Sequence, residues 1–177
     1  MITLLASPER FDLAELRVEG EAYRHLFRAR RAERGERLRV VDGAGRARWG
    51  EILRVDRTAA LLALGEEAPA NEPERRVELL LPTLRPEPAA WVVEKATELG
   101  VSAVRFLHTA RAPRTFGAGT VERLRRVAAA AVEQCHRARC PEVTGTHEWQ
   151  ELAVLAAGLG DRRVLDTAAG PGGETPP

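Results

Sequence analysis

The chain has 177 residues, of which 44% are apolar, 30% charged and 5% aromatic, with a formal net charge of +1 at pH 7; that length supports one large domain or two small ones, each with its own core. Its longest mostly apolar stretch, residues 77–81, is far too short to span a bilayer, and Pro8, Glu9 and Arg10 interrupt the apolar run that a signal peptide needs. A soluble cytoplasmic protein with no membrane partner is expected, and Cys135 and Cys140, too few for a disulfide scaffold, suit that reducing compartment.

In chain order, residues 21–31 predict a short helix, with Tyr23, Leu26 and Phe27 on one side and Arg24, Arg28 and Arg31 on the other. Residues 38–41, 47–53 and 58–64 read as strands separated by turn signals, the clearest being Asp42-Gly43-Ala44-Gly45, which is read as a turn and nothing more. A meander or small barrel results, with the helix lying across one mouth and its arginines outward. Residues 65–74, with Pro69, Asn71 and Pro73, read as a linker. The chain divides there into a first domain, 1–73, and a second, 74–177.

The second part alternates strand and helix, the pattern of a parallel sheet covered by helices. Residues 77–81 form a strand. Pro88 suits the first turn of a helix over 89–99 that buries Val92, Val93, Ala96 and Leu99 and stops at Gly100. Residues 102–107 make the next strand, and Thr120 caps a long helix over 121–138 in which Leu124, Val127, Ala131 and Val132 recur at helical spacing. A strand near Val143, a helix over 148–157, a strand over 162–166 and a flexible tail from 167 complete the units.

Charge is unevenly distributed. Residues 24–39 hold seven Arg against two Glu and residues 105–141 eight Arg against two Glu, so these two segments are strongly basic on an acidic remainder. Of the 27 cationic side chains only Lys95 is a lysine, a bias that genome composition can produce; the clustering is what points to a polyanion such as RNA. Cys135, His136, Cys140 and His147 fall within thirteen residues, but their spacing fits no zinc module. No phosphate-loop or dinucleotide glycine fingerprint follows a strand, which argues against kinases and dehydrogenases.

The run Glu94-Lys95-Ala96-Thr97-Glu98-Leu99-Gly100-Val101, then Thr109-Ala110-Arg111, Glu133-Gln134-Cys135-His136-Arg137 and Pro141-Glu142-Val143, resembles the RsmE family of ribosomal RNA uridine methyltransferases. His25-Leu26-Phe27-Arg28 and the segment from Arg34-Gly35-Glu36 to the Asp42 turn are similar to that family's N-terminal barrel. The resemblance implies a PUA-like RNA-binding β-barrel followed by a SPOUT-type α/β methyltransferase domain with a C-terminal knot. It implies use of S-adenosylmethionine to methylate the N3 imide of one uridine in 16S ribosomal RNA, by a homodimer. This sequence departs from the family pattern in Ala112 after Arg111, in His136 where Gly is usual, and in Arg85 where Lys is usual. Gly170-Pro171-Gly172-Gly173 resembles the family's Gly-Pro-Glu-Gly-Gly cofactor loop but lacks its Glu, so the cofactor-binding elements and the knot are expected beyond Pro177, leaving this chain as a shortened, inactive form.

The reaction needs the uridine unpaired or flipped, its imide proton removed, and a cation near the charge that develops on the ring oxygens. Arg111, expected at the carboxyl end of a parallel strand, is the first candidate for holding phosphate or uracil oxygens. RNA-contact candidates are His25, Arg28, Arg30, Arg31, Arg111 and Arg137; substrate-pocket candidates are Glu98, Arg111, Glu133 and Gln134. The plainer alternatives are an exposed Lys95–Glu98 pair, a Glu133–Arg137 pair four residues apart, and Arg111 as a solvated loop residue. No general base is assigned. The alternative functions are a non-catalytic RNA-binding protein and an enzyme acting on a small anionic substrate.

Overall fold

The computed structural model describes residues 1–29, 31–112, 115–158 and 160–164, except for the side chains of Arg28 and Ala29. Its first half is a five-stranded mixed sheet built from β1 (Thr3–Leu5), β2 (Glu15–Glu19), β3 (Arg37–Val41), β4 (Ala47–Val55) and β5 (Ala59–Glu67), in spatial order β1-β3-β4-β5-β2. The expected meander is β3-β4-β5, antiparallel throughout. Two strands were not anticipated. β1 runs parallel to β3, and β2 pairs with β5, its Leu16 and Val18 inward and Glu15, Arg17 and Glu19 outward. That strict alternation is a legible strand signal.

A short helix, α1 (Pro8–Phe11), links β1 to β2 and buries Phe11. The expected helix after β2 is one turn of α-helix, α2 (Gly20–Tyr23), widened into a π-helical turn over Arg24–Ala29. Tyr23, Leu26 and Phe27 enter the barrel core beside Leu16, Leu38, Ile52 and Leu62, and the Tyr23 and Phe27 rings stack at 5.3 Å. The buried side of this segment is therefore the one its sequence periodicity indicates.

The second half is a parallel sheet in the order β6-β7-β8, formed by β6 (Glu78–Pro82), β7 (Ala103–His108) and β8 (Glu142–Glu148). Between its strands run α3 (Pro86–Glu98) and α4 (Ala118–Cys135), packed on one core with Val93, Val104, Phe106, Leu124 and Val143. A 3-10 turn, Trp149–Glu151, leads into α5 (Leu152–Ala157), so the last expected helix exists in two pieces. Residues 162–164 form no strand, and 165 onward, with Gly170 to Gly173, lies outside the described residues. No described helix is long and apolar enough to cross a membrane.

Several boundaries differ for identifiable reasons. Pro86, not Pro88, begins α3, and the buried face is Ala89, Val93, Ala96 and Thr97, while Leu99, to one side of that face on the helical wheel, is 82% exposed; the helix stops at Gly100, which has φ +89°. A Cβ on Gly100 would stand 2.4 Å from Pro73 Cγ, so glycine also lets the connecting segment pack here. α4 starts from Gly117 rather than Thr120 and ends at Cys135, before its expected limit, because His136 adopts the left-handed conformation.

The supposed linker is mostly engaged. Residues 65–67 extend β5, and Ala68 N–H donates to Ala47 C=O. Val41, Ala47, Val132 and Ala138 form a small apolar cluster joining the two halves.

Candidate functional site

The candidates divide by position. Because β6, β7 and β8 are parallel, α3 and α4 must return antiparallel to them, and so Arg111, in the loop after β7, lies at the C-terminal edge of the sheet. Glu98, at the end of α3, and Glu133 and Gln134, at the end of α4, lie at the opposite edge. At 1.5 Å per residue the helices set these groups apart by roughly 20 to 27 Å. The four substrate-pocket candidates therefore do not form one pocket.

Each also has a local role. Glu98 accepts from Lys95 Nζ at 2.8 Å, and Glu94 binds the same ammonium, so the surface ion pair is what is observed. Glu133 does not pair with Arg137. Its Oε1 accepts the backbone N–H of Leu5 in β1 at 2.9 Å, and burial pushes its carboxyl above the ordinary range, against the lowering effects of that bond and of nearby His25.

Arg137 is the clearest correction to the RNA-contact set. It is 4% exposed, donates to the carbonyls of Thr97 and Val101, and pairs with Glu72 at 2.7 Å. The same Glu72 accepts the N–H groups of Ala138 and Arg139, each at 2.8 Å. The reason is geometric: the left-handed turn at His136 ends α4, so Arg137 leaves the helix face it would have shared with Glu133 and enters the joint between the halves. Arg39, in the basic segment, is likewise buried, donating to the carbonyls of His136 and Pro69.

His25, Arg31 and Arg111 remain exposed. His25 lies in the π-helical turn, and Arg31 follows that turn at φ 55°. Arg28 is in the same turn, with its side chain outside the described residues, as is the whole of Arg30. Such widened turns often accompany functional sites. Beside them is a depression of about 630 Å³, lined by Ala32, Glu33, Arg34, Leu53, Arg54 and Val55, where apolar surface is flanked by two guanidinium groups. A second depression, of about 530 Å³, lies at the joint near Leu5, Asp42 and Cys140.

The Asp42 turn does more than reverse the chain. Asp42 Oδ1 accepts the N–H groups of Ala44, Gly45 and Arg46, and the turn docks on the segment after α4 through Gly45 N–H to Ala138 C=O and Cys140 N–H to Gly43 C=O. Cys135 is half-buried, and burial pushes the Cys140 thiol up to about 11. Among the described residues no three His, Cys, Asp or Glu side chains converge as metal ligands.

Residues 71–169 match the family described as RNA methyltransferase domain, and residues 18–64 the RNA methyltransferase PUA domain. The fold is similar to that of a ribosomal RNA small subunit methyltransferase E from Neisseria gonorrhoeae bound to S-adenosyl methionine, with a TM-score of 0.76 and 21% identity over 85% of this chain and 63% of that one. A probable rRNA-methyltransferase from Porphyromonas gingivalis gives 0.72 at 27% identity, over 86% of this chain and 63% of that one. A Legionella pneumophila protein in complex with the bound cofactor SAM gives 0.68 at 20% identity, over 86% and 65%. No curated protein sequence matches. The chain thus spans less than two thirds of the length of these solved relatives.

Neither depression lies at the C-terminal edge of the parallel sheet, where open α/β sheets take their ligands. What this chain shares with the cofactor-bound relatives is the fold, a PUA-like sheet leading into a parallel α/β unit. Since the first of the two family matches covers more than half of its length, this chain belongs to the RNA methyltransferase domain family.

Proposed function

We propose that this chain grips a folded RNA, 16S ribosomal RNA in the first instance, so that one uridine is methylated at its N3 imide with S-adenosylmethionine as donor. In this reading residues 1–73 are the RNA-binding part and 74–177 the methyltransferase part, working as a homodimer in the cytoplasm. The observation that carries it is the ordered pair of matches, an RNA methyltransferase PUA domain followed by an RNA methyltransferase domain.

The chain's own groups supply positioning. Arg28, Arg30 and Arg31, together with His25, hold phosphates, which fixes register and orientation without reading sequence. Arg111, at the C-terminal edge of the sheet, neutralises phosphate or the uracil oxygens as the imide proton leaves. Arg137 and Glu133 serve by keeping the two halves in a fixed relation, through the bonds to Glu72 and to the Leu5 N–H. S-adenosylmethionine, when bound, supplies the methyl group.

Binding of 16S ribosomal RNA is expected to weaken steeply as salt rises, with a slope of roughly 0.7 to 0.9 per phosphate contact on logarithmic axes. Replacing Arg28, Arg30 and Arg31 together by Gln is expected to flatten that slope by about 2 to 3. An unchanged slope removes the barrel turn from the interface. Transfer of tritium from labelled S-adenosylmethionine, mapped on the RNA product, tests the chemistry, and methyl found at an atom other than uridine N3 overturns the assignment.

The non-catalytic alternative rests on the PUA-domain match over residues 18–64 and predicts the same salt slope with no effect of S-adenosylmethionine on RNA affinity.

A further inference from the structure

We propose that one exposed stripe of α4, made of Gly119, Arg123, Arg126, Ala130 and Gln134, is a phosphate track along which RNA passes from the arginine turn of the barrel to Arg111. This rests on the RNA-binding reading above and adds the path of the RNA over the second half.

Residues three and four apart on a helix lie on one face, and all five of these are solvent-exposed. The stripe carries two cations and no carboxylate. The exposed acid of α4, Glu122, pairs with Arg125 at 3.1 Å. Arg125 also donates its Nε to the Val143 carbonyl at 3.1 Å, so it is committed to joining α4 to β8. Arg123 and Arg126 have no such commitment among the described residues.

The position matters as much as the charge. Eighteen residues of helix run about 27 Å, enough to reach from one edge of the sheet to the other. The N-terminal end of the stripe follows the loop that bears Arg111. Its C-terminal end passes Glu133, which accepts the N–H of Leu5 in β1, so the stripe runs onto the barrel whose core holds Leu26 and Phe27 of the π-helical turn beside Leu4. The stripe thus runs from the loop that bears Arg111 to the barrel with no carboxylate of its own.

The composition selects the occupant. Flanking the arginines are Gly, Ala and Gln, with none of the large apolar or aromatic anchors that form the centre of a protein interface. Small neutral residues and unpaired guanidinium groups suit a hydrated phosphate backbone.

The test uses the full chain and a fluorescein-labelled RNA stem-loop with a uridine-rich loop, with anisotropy followed between roughly 50 and 200 mM salt. The Arg123→Gln, Arg126→Gln double variant is expected to lower the salt slope by about 1.4 to 1.8, one phosphate contact for each residue. Arg125→Gln is expected to leave the slope unchanged. Both double-variant sites are exposed, so circular-dichroism melts should stay near those of the parent chain.

A double variant with the parental slope, while the Arg28, Arg30 and Arg31 replacements still flatten it, overturns the track and leaves the RNA reading standing. A parent chain without salt-dependent affinity for the stem-loop overturns that reading itself. If a polyglutamate peptide binds as tightly as the RNA and is lost equally in the double variant, the track exists but RNA is not its occupant, and the proposal fails.

Discussion

Burial divides the arginines of this chain into two populations with different work. Arg39, Arg105 and Arg137 are enclosed among carbonyls and carboxylates; Arg105, on the central strand β7, reaches Glu78 of β6 on one side and Glu142 of β8 on the other. Arg31, Arg111, Arg123 and Arg126 stay in solvent. A count of charge along the chain cannot make that division, since it follows from which face of an element each side chain occupies. Glu133 shows the same at a carboxylate. Burial raises its pKa, so the folded chain binds the proton more tightly than the unfolded chain does. The resulting stabilisation is complete below the ordinary carboxylate range and is lost as pH rises through the folded value. Glu133→Gln keeps an oxygen for the Leu5 N–H and stays neutral. Its stability relative to the parent, from urea unfolding at pH about 4 to 7, is therefore expected to rise with pH and then level off. A pH-independent difference contradicts the argument.

At the scale of elements, sequence reading worked best where periodicity and punctuation agreed. The three strands of the meander, the apolar side of the turn after β2, and the stop at Gly100 were all legible, because each depends on neighbours within a few residues. The end of α4 was not. An i, i+4 rule pairs Glu133 with Arg137 only if the helix continues, and His136 at φ 60° ends it. A side chain there carries the strain that glycine avoids, about 1 kcal/mol. The residue is held in place by the hydrogen bond between its Nδ1 and Thr3 Oγ1 at 2.9 Å. His136→Ala loses that bond and keeps the strain, whereas His136→Gly loses both. The alanine variant should therefore be the less stable of the two, by about 1 kcal/mol in chemical unfolding; equal stabilities contradict a strained turn.

For the whole molecule, the decisive feature is the joint. Glu72 accepts from the Arg137 guanidinium and from two backbone N–H groups, Glu133 ties α4 to β1, the Asp42 turn docks on Ala138 and Cys140, and four apolar residues pack beneath. Removing one member of a buried pair leaves the other uncompensated and costs about 3 to 5 kcal/mol. Glu72→Ala should lose stability on that scale, with a smaller loss for Glu72→Gln, which retains one acceptor. Heat-capacity scans should show parent halves melting together and the Glu72→Ala halves in separate steps. A loss below about 1 kcal/mol would mark the pair as a solvent-screened contact.

By itself the sequence determined the order of units, a basic β part before a parallel α/β part, and the family resemblance that the matches to residues 18–64 and 71–169 support. Alternation, helical spacing, glycine stops and motif order are local, and a chain carries them without folding. Only the tertiary structure decided which charges are free. It placed Arg137 and Glu133 in the joint, put Glu98 and Arg111 at opposite edges, and left Arg123 and Arg126 bare on the helix between those edges. The energy of a charge depends on what lies within a few ångströms of it, and those neighbours come from segments tens of residues away.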